Sequence, residues 1–311
     1  MKLRIAVLMG GTSAEAEVSR NSASQVSAAL EASGHDTHLV ELDQNLTTAL
    51  LELAPDVVFP ALHGPPGEDG TVQGYLEQLG FAYVGSGVRG CALAMDKSVA
   101  KLIFAQVGLP VLDEVIVAPN DNLAERIEVI HASLGERIVI KPLNQGSAIG
   151  VSLLANGGDP TDALTAALSF GPCMVEPFFM GREITVGILD IPPNHPQPHP
   201  VIEIRTASDE WYDYKNRYQE GQSEHIIPAD LSKSCQQELQ SIALLAHQAL
   251  GLRDLSRADF IVTEEEEIML LEVNALPGMT PTSLYPDGAA HIGFSFESLV
   301  DALSKQAAAR R

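Results

Sequence analysis

Two apolar runs separated by an acidic turn constrain the C-terminal part of the chain more than any other feature. Residues 257–263 read Arg-Ala-Asp-Phe-Ile-Val-Thr, and residues 268–274 read Ile-Met-Leu-Leu-Glu-Val-Asn. The four residues between the runs are all glutamate. Each run has the length of a strand, and a solvated turn joins them. The stretch therefore predicts a β-hairpin.

Three oxygen-bearing side chains fall on one face of this hairpin. Glu272 and Asn274 are two residues apart, so they point the same way, and Asp259 can lie opposite them on the neighbouring strand. Two carboxylates and an amide carbonyl suit Mg²⁺, which usually also binds substrate phosphates. The alternative is a polar strand face turned to water. We favour the metal site because the surrounding residues are apolar and a buried carboxylate needs a partner.

In the first ninety residues, apolar strand-like runs alternate with helical segments, which predicts a parallel α/β domain. In such sheets ligands bind beyond the carboxyl ends of the strands, where Glu15 and His63 lie. Each residue has another interpretation. Glu15 can complete a capping box with Thr12 or Ser13 as N-cap, and His63 can be a turn histidine. The spacing does not decide between these readings.

Beyond residue 110 the pattern becomes richer in strands, and we expect a domain boundary near residues 94–97. Lys141 ends an apolar strand at 138–142, and the following loop is bounded by Gly146 and Gly150. Such a loop can lie over phosphates with its backbone N–H groups. A surface lysine and an ordinary hairpin loop are the alternatives. The expected domains are residues 1–95, 96–182 and 183–311.

The glycines Gly85, Gly87 and Gly90 match G-x-G-x-x-G, the motif of dinucleotide-binding oxidoreductases. However, that fingerprint belongs at the first strand of its unit, where this chain has only Gly10-Gly11. Close packing at a helix start explains the motif equally well. No P-loop motif occurs in the sequence.

Composition narrows the classes of partner. The formal net charge of −22 argues against non-specific nucleic-acid binding and against docking on anionic membranes. No apolar run reaches transmembrane length and the start does not read as a signal peptide, so we expect a cytoplasmic protein. The three cysteines are far apart in the sequence, which predicts neither a disulfide framework nor a zinc site.

Seven motifs in order resemble the D-alanyl-D-alanine ligases of the ATP-grasp superfamily, and together they span essentially the whole chain. They are Gly10-Gly-Thr-Ser-Ala-Glu15 with Glu17-Val-Ser19, Leu62-His63-Gly64 with Gly67-Glu-Asp-Gly70, Met95-Asp-Lys97, Lys141-Pro142 with Gly146-Ser147, Tyr212-Asp-Tyr214 with Tyr218, Arg257-Ala-Asp259, and Glu272-Val-Asn274 with Pro277-Gly278.

The resemblance implies an α/β (α+β) protein with an N-terminal parallel α/β domain followed by an ATP-grasp pair of β-rich domains. It implies an enzyme that joins two D-alanines through an acyl phosphate, for peptidoglycan precursors. The implied cofactors are ATP and two Mg²⁺ ions, with Mn²⁺ able to substitute. The implied assembly is a homodimer.

The resemblance also assigns roles to individual residues. Nucleotide contacts fall on Lys97, Lys141, Glu176, Phe179, Glu183, Lys215 and Arg217, and metal binding falls on Asp259, Glu272 and Asn274. Substrate contacts fall on Glu15, His63 and Ser283, stabilisation of the oxyanion falls on Arg257 and Gly278, and closure of a loop over the site falls on Ser147 and Tyr218 together with Glu15.

Four positions depart from the family pattern. Ala16 and Thr282 stand where arginine and histidine are common, Arg217 replaces a lysine, and Pro65-Pro66 replaces Arg-Gly. These departures bear on rate and affinity rather than on reaction type. The alternatives to the dipeptide ligase are a ligase for another pair of small amino acids and a catalytically silent nucleotide-binding module.

Overall fold

The computed structural model describes residues 1–13, 15–193, 196–206 and 223–310. Three β-sheets follow one another along the chain: one parallel sheet and two antiparallel sheets. The predicted α/β class, and the order of a parallel sheet followed by β-rich segments, are confirmed. Among the described residues, none of the helices combines the length and the apolar character needed to cross a membrane.

The N-terminal sheet is parallel and has the strand order β2-β1-β3. Strands β1 and β3 are buried because they are short, nearly uninterrupted apolar runs, and helical crossovers connect the parallel strands. The elements are β1 (Arg4–Met9), α1 (Ala16–Ala32), β2 (Asp36–Glu41), α2 (Leu46–Leu53), β3 (Val57–Pro60) and α3 (Thr71–Leu79).

Two consecutive helices, α4 (Val88–Met95) and α5 (Lys97–Gln106), lead into the second sheet. The Asp96 side chain caps α5 by accepting hydrogen bonds from the backbone N–H groups of Ser98 and Val99. The second sheet is antiparallel, with the order β4-β7-β5-β6. Its elements are β4 (Val115–Val117), α6 (Leu123–Leu134), β5 (Ile138–Pro142), β6 (Ser152–Leu154), α7 (Thr161–Leu168) and β7 (Cys173–Pro177).

The third sheet has the order β11-β10-β8-β12-β13, with β9 paired to β8. Helix α8 covers it with an apolar stripe that includes Leu239, Ile242 and Ala246. The predicted hairpin is confirmed as β12 and β13. The elements are β8 (Arg182–Asp190), β9 (Gln197–Pro198), β10 (Ile202–Thr206), β11 (Ser223–Ile226), α8 (Lys233–Ala249), β12 (Asp254–Val262) and β13 (Ile268–Asn274).

The end of the chain returns to the first sheet through α9 (Leu284–Ala290) and α10 (Phe296–Ala308). Leu299 and Leu303 are one turn apart on α10, and they share a buried cluster with Ile5 of β1 and Leu30 of α1. The C-terminal segment therefore belongs to the core of the N-terminal sheet, and it ties the two ends of the chain together.

Candidate active site

A cleft open to solvent lies between the second and third sheets. The sheets contribute its walls through β5, β7, β12 and β13, and the loop after β5 covers one side. The predicted residues that line the cleft are Lys97, Lys141, Ser147, Glu176, Phe179 and Glu272.

Two lysines meet glutamates at the wall of this cleft. Lys141 Nζ lies 2.5 Å from Glu176 Oε2, and Lys97 Nζ lies 3.5 Å from Glu272 Oε2. Burial opposes the charged form of Lys141, but the charge and hydrogen bond of Glu176, together with the charges of Glu272 and Glu114, outweigh it and raise the pKa of Lys141 above its ordinary value. Lys141 is therefore a buried cation that can meet an anionic ligand.

Four polar side chains share one face of the β12–β13 hairpin. Asp259 pairs with Glu272 across the strands, and Arg257 pairs with Asn274. Asp259 accepts hydrogen bonds from Arg257 Nε at 2.8 Å, Arg257 Nη2 at 2.7 Å, Asn274 Nδ2 at 2.9 Å and Thr185 Oγ1 at 2.6 Å. The convergence of Asp259, Glu272 and Asn274 expected from the sequence is therefore present, and Arg257 lies within it.

The residue types on this face suit a hard divalent cation, which would have to displace some of the donors that now occupy both oxygens of Asp259. The face offers two carboxylates and one amide, which are the oxygen ligands that Mg²⁺ accepts. Asn274 directs its amide nitrogen to Asp259, which leaves its carbonyl oxygen as a neutral ligand. Within the described parts of the chain, no three Asp, Glu, His or Cys side chains form a metal-binding group on their own.

The loop after β5 brings Ser147 to a residue far away in the sequence. Ser147 and Ala148 have φ values of 49° and 57°, a left-handed conformation that is uncommon for residues other than glycine. The loop is closed by hydrogen bonds from Ile149 N to Gly146 O and from Val151 N to Ala148 O. Its tight path directs Ser147 Oγ to donate a short hydrogen bond to Glu15 Oε1.

Glu15 is buried beside this loop and does not act as a helix cap. Helix α1 begins at Ala16, and the Glu15 side chain makes no capping hydrogen bond. Ser13 Oγ accepts a hydrogen bond from Glu15 N at 3.2 Å and donates to the carbonyl oxygen of His63 at 2.7 Å. The capping-box interpretation of Glu15 is therefore wrong, because its carboxylate turns to Ser147 instead.

His63 follows β3 and is buried close to the same carboxylate. Its Nε2 lies 3.1 Å from Ser22 Oγ. Burial lowers the pKa of His63 below its ordinary value. The charge of Glu15 raises this pKa in part, and the charge of Arg257 lowers it further. His63 is thus a neutral imidazole at pH 7, held between a serine hydroxyl and the carboxyl end of the first sheet.

Glu68 is a neighbour of this site that the sequence analysis did not select. Its Oε2 accepts a hydrogen bond from Gly64 N at 2.6 Å. Gly64 also faces Glu15, since a Cβ at this glycine would lie 3.2 Å from Glu15 Oε2. Burial raises the pKa of Glu68 to about 8. An acid set among glycines in Gly67-Glu-Asp-Gly70 is the signal that could have identified it.

Gly278 and Ser283 lie together after β13. A Cβ added at Gly278 would sit 3.2 Å from Ser283 Oγ. Ser283 Oγ accepts a hydrogen bond from Thr280 N at 3.2 Å and lies 2.8 Å from Thr280 Oγ1. One short turn therefore brings together Gly278, the predicted oxyanion donor, and Ser283, the residue predicted to contact a substrate carboxylate.

Glu183 is the predicted nucleotide residue that is described but does not line the cleft. It lies on β8 opposite Ile261, a cleft residue, and two positions before Thr185. Glu183 therefore shares the strand face that carries Thr185 and Asp259. Three further predicted residues, Lys215, Arg217 and Tyr218, lie outside the described residues.

The glycine motif at residues 85–90 is explained by close contacts with the third sheet. Gly85 N donates to Asp254 Oδ2 at 2.7 Å, and Gly85 O accepts from Arg253 Nε at 2.7 Å. A Cβ at Gly90 would lie 3.0 Å from Leu252 Cδ2. The motif thus joins two parts of the chain, which is the packing alternative that the sequence left open.

Comparison with protein families and curated proteins adds a second line of observation. Residues 103–305 match a family model described as D-ala D-ala ligase C-terminus, and residues 46–86 match one described as D-ala D-ala ligase N-terminus. The chain is 43% identical to the D-alanine–D-alanine ligase of Acidiphilium cryptum, with 99% of each chain covered. It is 41% identical to that of Desulforudis audaxviator, with 100% of each covered.

Solved structures give the same picture. A D-alanine–D-alanine ligase from Bacillus anthracis complexed with ATP has a TM-score of 0.80 and 29% identity, and covers 99% of this chain and 98% of its own. The VanG D-Ala:D-Ser ligase from Enterococcus faecalis has a TM-score of 0.82 and 29% identity, with 97% and 98% covered. Relatives with different second substrates therefore share this backbone.

Proposed function

The chain belongs to the D-alanine–D-alanine ligase family, and on that premise we propose which of its residues perform the reaction. The protein is an ATP-dependent enzyme of the ATP-grasp type that joins two D-alanines for peptidoglycan precursors. The observation that best supports a ligase site is the contact between Ser147 and Glu15, because it joins the cleft to the edge of the N-terminal sheet.

ATP occupies the cleft between the two antiparallel sheets. Lys97 and Lys141 neutralise its phosphates, and the loop containing Ser147 covers them. The segment from Glu176 to Phe179 reads the adenine, and Glu183 contacts the ribose. Lys215 and Arg217 add positive charge near the γ-phosphate. This assignment is supported by the buried positive charge of Lys141 and by the residues that line the cleft.

Asp259, Glu272 and Asn274 would hold two Mg²⁺ ions, with Mn²⁺ able to replace them. Bound there, the ions would neutralise phosphate charge. Support for this assignment comes from the shared strand face of the three side chains.

The reaction has two steps that both build negative charge on oxygen. A carboxylate oxygen of the first D-alanine attacks the γ-phosphorus, the bond to the β–γ bridging oxygen breaks, and ADP leaves. The free amine of the second D-alanine then attacks the acyl carbon, inorganic phosphate leaves with the bonding pair, and the amine loses a proton. Arg257 and the N–H of Gly278 stabilise the tetrahedral oxyanion of the second step.

Glu15 binds the ammonium group of the first D-alanine, with neutral His63 beside it, and Ser283 binds the carboxylate of the second. Ser147 and Tyr218 act with Glu15 to close the segment spanning roughly residues 207–226 over the site. Closure excludes water, which would otherwise hydrolyse the acyl phosphate.

We also propose the molecular setting of this reaction. Residues 1–95, 96–182 and 183–311 form three domains, and two copies of the chain form a homodimer. The enzyme acts in the cytoplasm, where ATP is available, and binds neither nucleic acid nor membrane, in keeping with its net charge of −22.

The test is phosphate release by the purified protein with ATP and Mg²⁺, with products identified by mass. Parallel reactions contain D-alanine, L-alanine, D-alanine with D-lactate, and D-alanine with D-serine. We expect phosphate and D-alanyl-D-alanine with D-alanine alone, and no product with L-alanine. If the product with D-lactate or D-serine exceeded D-alanyl-D-alanine, the assigned second substrate would be wrong. Tight ATP binding without turnover would indicate a catalytically silent nucleotide-binding module.

A further inference from the structure

A third lysine, Lys101, lies behind the wall of the nucleotide cleft. It follows Lys97 by one turn on α5, is 3% exposed, and is not among the residues that line the cleft. Its Nζ donates to Glu176 Oε1 at 2.5 Å and lies 2.9 Å from Glu114 Oε2. Burying these three charges costs desolvation free energy, which the contacts between Lys101 and the two glutamates must offset.

Glu176 is held between two lysines from opposite sides. Lys101 contacts its Oε1 from behind the wall, and Lys141 lies 2.5 Å from its Oε2 on the side of the cleft. Burial opposes the charged form of Glu176, but Lys141 and Lys101 outweigh it and hold its pKa below the ordinary value. Glu176 is therefore an ionised carboxylate that faces the cleft.

The two lysines differ in whether they can contact a bound nucleotide. Lys141 lines the cleft, so a phosphate can draw its ammonium group away from Glu176. Lys101 does not reach the cleft, so its pairing with Glu176 persists while a nucleotide is bound. Glu114 anchors the other side of Lys101 and is itself held by Ser98 Oγ at 3.0 Å.

We propose that Lys101 is a positioning residue that keeps the Glu176 carboxylate charged and oriented when Lys141 turns to the phosphates, and that it thereby selects the base. This inference rests on the proposed function, in which Glu176 reads adenine. A fixed carboxylate accepts a hydrogen bond from a purine 6-amino group and repels a 6-oxo group. Lys101 thus acts on nucleotide choice through Glu176, without touching the nucleotide.

Lys101→Met is the direct test, with ATP and GTP each used as the phosphoryl donor. We expect the KM for ATP to rise about tenfold or more, because Glu176 without Lys101 takes up a proton when Lys141 turns to the phosphates. We expect kcat at saturating ATP to stay within about threefold of wild type and the KM for D-alanine to be unchanged. The preference for ATP over GTP should fall by about tenfold, because a protonated Glu176 can donate to a 6-oxo group.

Two further variants separate this role from a purely structural one. Lys101→Met/Glu114→Gln removes one positive and one negative charge together, so the local net charge and the fold are retained while Glu176 still loses Lys101. It should show the same ATP and GTP effects as the single variant. In Lys101→Met/Glu176→Gln, the effect on the KM for ATP should equal that of Glu176→Gln alone, because Lys101 acts only through Glu176.

The outcomes distinguish this inference from the proposed function. Wild-type protein that neither binds ATP by calorimetry nor releases phosphate overturns the proposed function. An active wild type, with either Lys101 variant unchanged in the KM for ATP and in base preference, overturns the role of Lys101. Additive effects of Lys101→Met and Glu176→Gln also overturn it, as does an equal loss for ATP, GTP and D-alanine.

Discussion

Three side chains, those of Arg257, Asn274 and Thr185, donate hydrogen bonds to the two oxygens of Asp259. Arg257 is one of these donors, and it is also the proposed oxyanion cation. Asp259 therefore orients the proposed catalytic arginine as well as contributing to the proposed metal site. A change of its charge, without a change of shape, tests both roles.

Asp259→Asn should lower kcat by about 100- to 1,000-fold while leaving the fold intact, because the carboxylate charge is lost while the size and shape of the side chain are nearly unchanged. Phosphate release measured across a Mg²⁺ titration, with circular dichroism for the fold, checks this. Asp162→Asn, at an exposed position on α7, is the control and should behave as wild type. Activity within a few-fold of wild type would contradict the metal assignment.

Glu15→Gln should raise the KM for D-alanine by about 10- to 100-fold, since a charged hydrogen bond to the substrate ammonium is lost. Ser147 Oγ can still donate to the amide oxygen, so thermal stability should change little. Steady-state kinetics at saturating ATP provide the measurement. Glu17→Gln, two residues away and exposed, serves as the matched control. Equal effects of the two substitutions would argue against a substrate role for Glu15.

At the scale of elements, α5 and the β12–β13 hairpin place the charged groups. Lys97 and Lys101 are one helical turn apart, so they share a face of α5 that points to the acidic residues of the neighbouring sheets. The alternation of side chains along the hairpin strands places Asp259 and Glu272 on the same face of the hairpin, the face on which Glu272 meets Lys97 of α5. The regular backbone of a helix and a hairpin thus positions these charged side chains more firmly than a loop would.

The packing of α9 on β8 contains a histidine whose titration should affect stability. His199 is fully buried between Gly187 and Gly288, and neither ring nitrogen has a hydrogen-bond partner among the described residues. Burial lowers the pKa of His199 to about 3, from an ordinary value of 6.5. The contribution of neutral, buried His199 to the free energy of unfolding is therefore complete above pH 6.5. This contribution is lost as the pH falls towards 3, because the unfolded chain takes up the proton first.

His199→Leu should move the midpoint of acid unfolding to lower pH, because the leucine cannot be protonated. At pH 7 the free energy of unfolding should stay within about 1 kcal/mol of wild type, since no hydrogen bond is removed. Circular dichroism as a function of pH measures both quantities. His291→Gln removes an exposed histidine and should leave the acid midpoint in place. An unchanged midpoint for His199→Leu would show that His199 does not titrate in this range.

At the scale of the whole molecule, an ion pair joins the end of the chain to the third sheet and to the N-terminal segment. Arg310 Nη1 lies 2.6 Å from Asp254 Oδ1, and Arg310 Nη2 donates to Tyr83 O at 2.7 Å. Asp254 also accepts a hydrogen bond from Gly85 N. The Asp254 side chain is buried, so these partners supply the hydrogen bonds that water cannot.

Arg310→Ala should reduce the free energy of unfolding by about 3 kcal/mol, because it leaves a buried carboxylate without its counter-charge. Urea unfolding measures the loss. Arg310→Lys should retain part of the stability, and Arg310→Ala/Asp254→Asn should recover part of it by removing the unpaired charge. A loss below about 0.5 kcal/mol for Arg310→Ala would place this ion pair among surface pairs of little weight.

The sequence alone determined those features that depend on local periodicity. Two apolar runs joined by an acidic turn predicted the β12–β13 hairpin, and the alternation of two predicted that Asp259 can share a face with Glu272 and Asn274. The alternation of strands and helices predicted the parallel N-terminal sheet. The family resemblance added the reaction, because seven motifs in order are specific where each alone is not. These features could be read from residues that lie close together in the chain.

Only the tertiary structure decided the contacts between distant segments. Spacing alone left Glu15 between a helix cap and a ligand site, and the structure turned it to Ser147, the partner that the family resemblance implied, 132 residues away. It also placed Lys101 on Glu176, 75 residues away, a contact that no sequence pattern indicated. It also returned α10 to the first sheet and gave the glycines at 85–90 a packing role. Local sequence patterns do not specify such contacts, because they depend on how completed elements pack against one another.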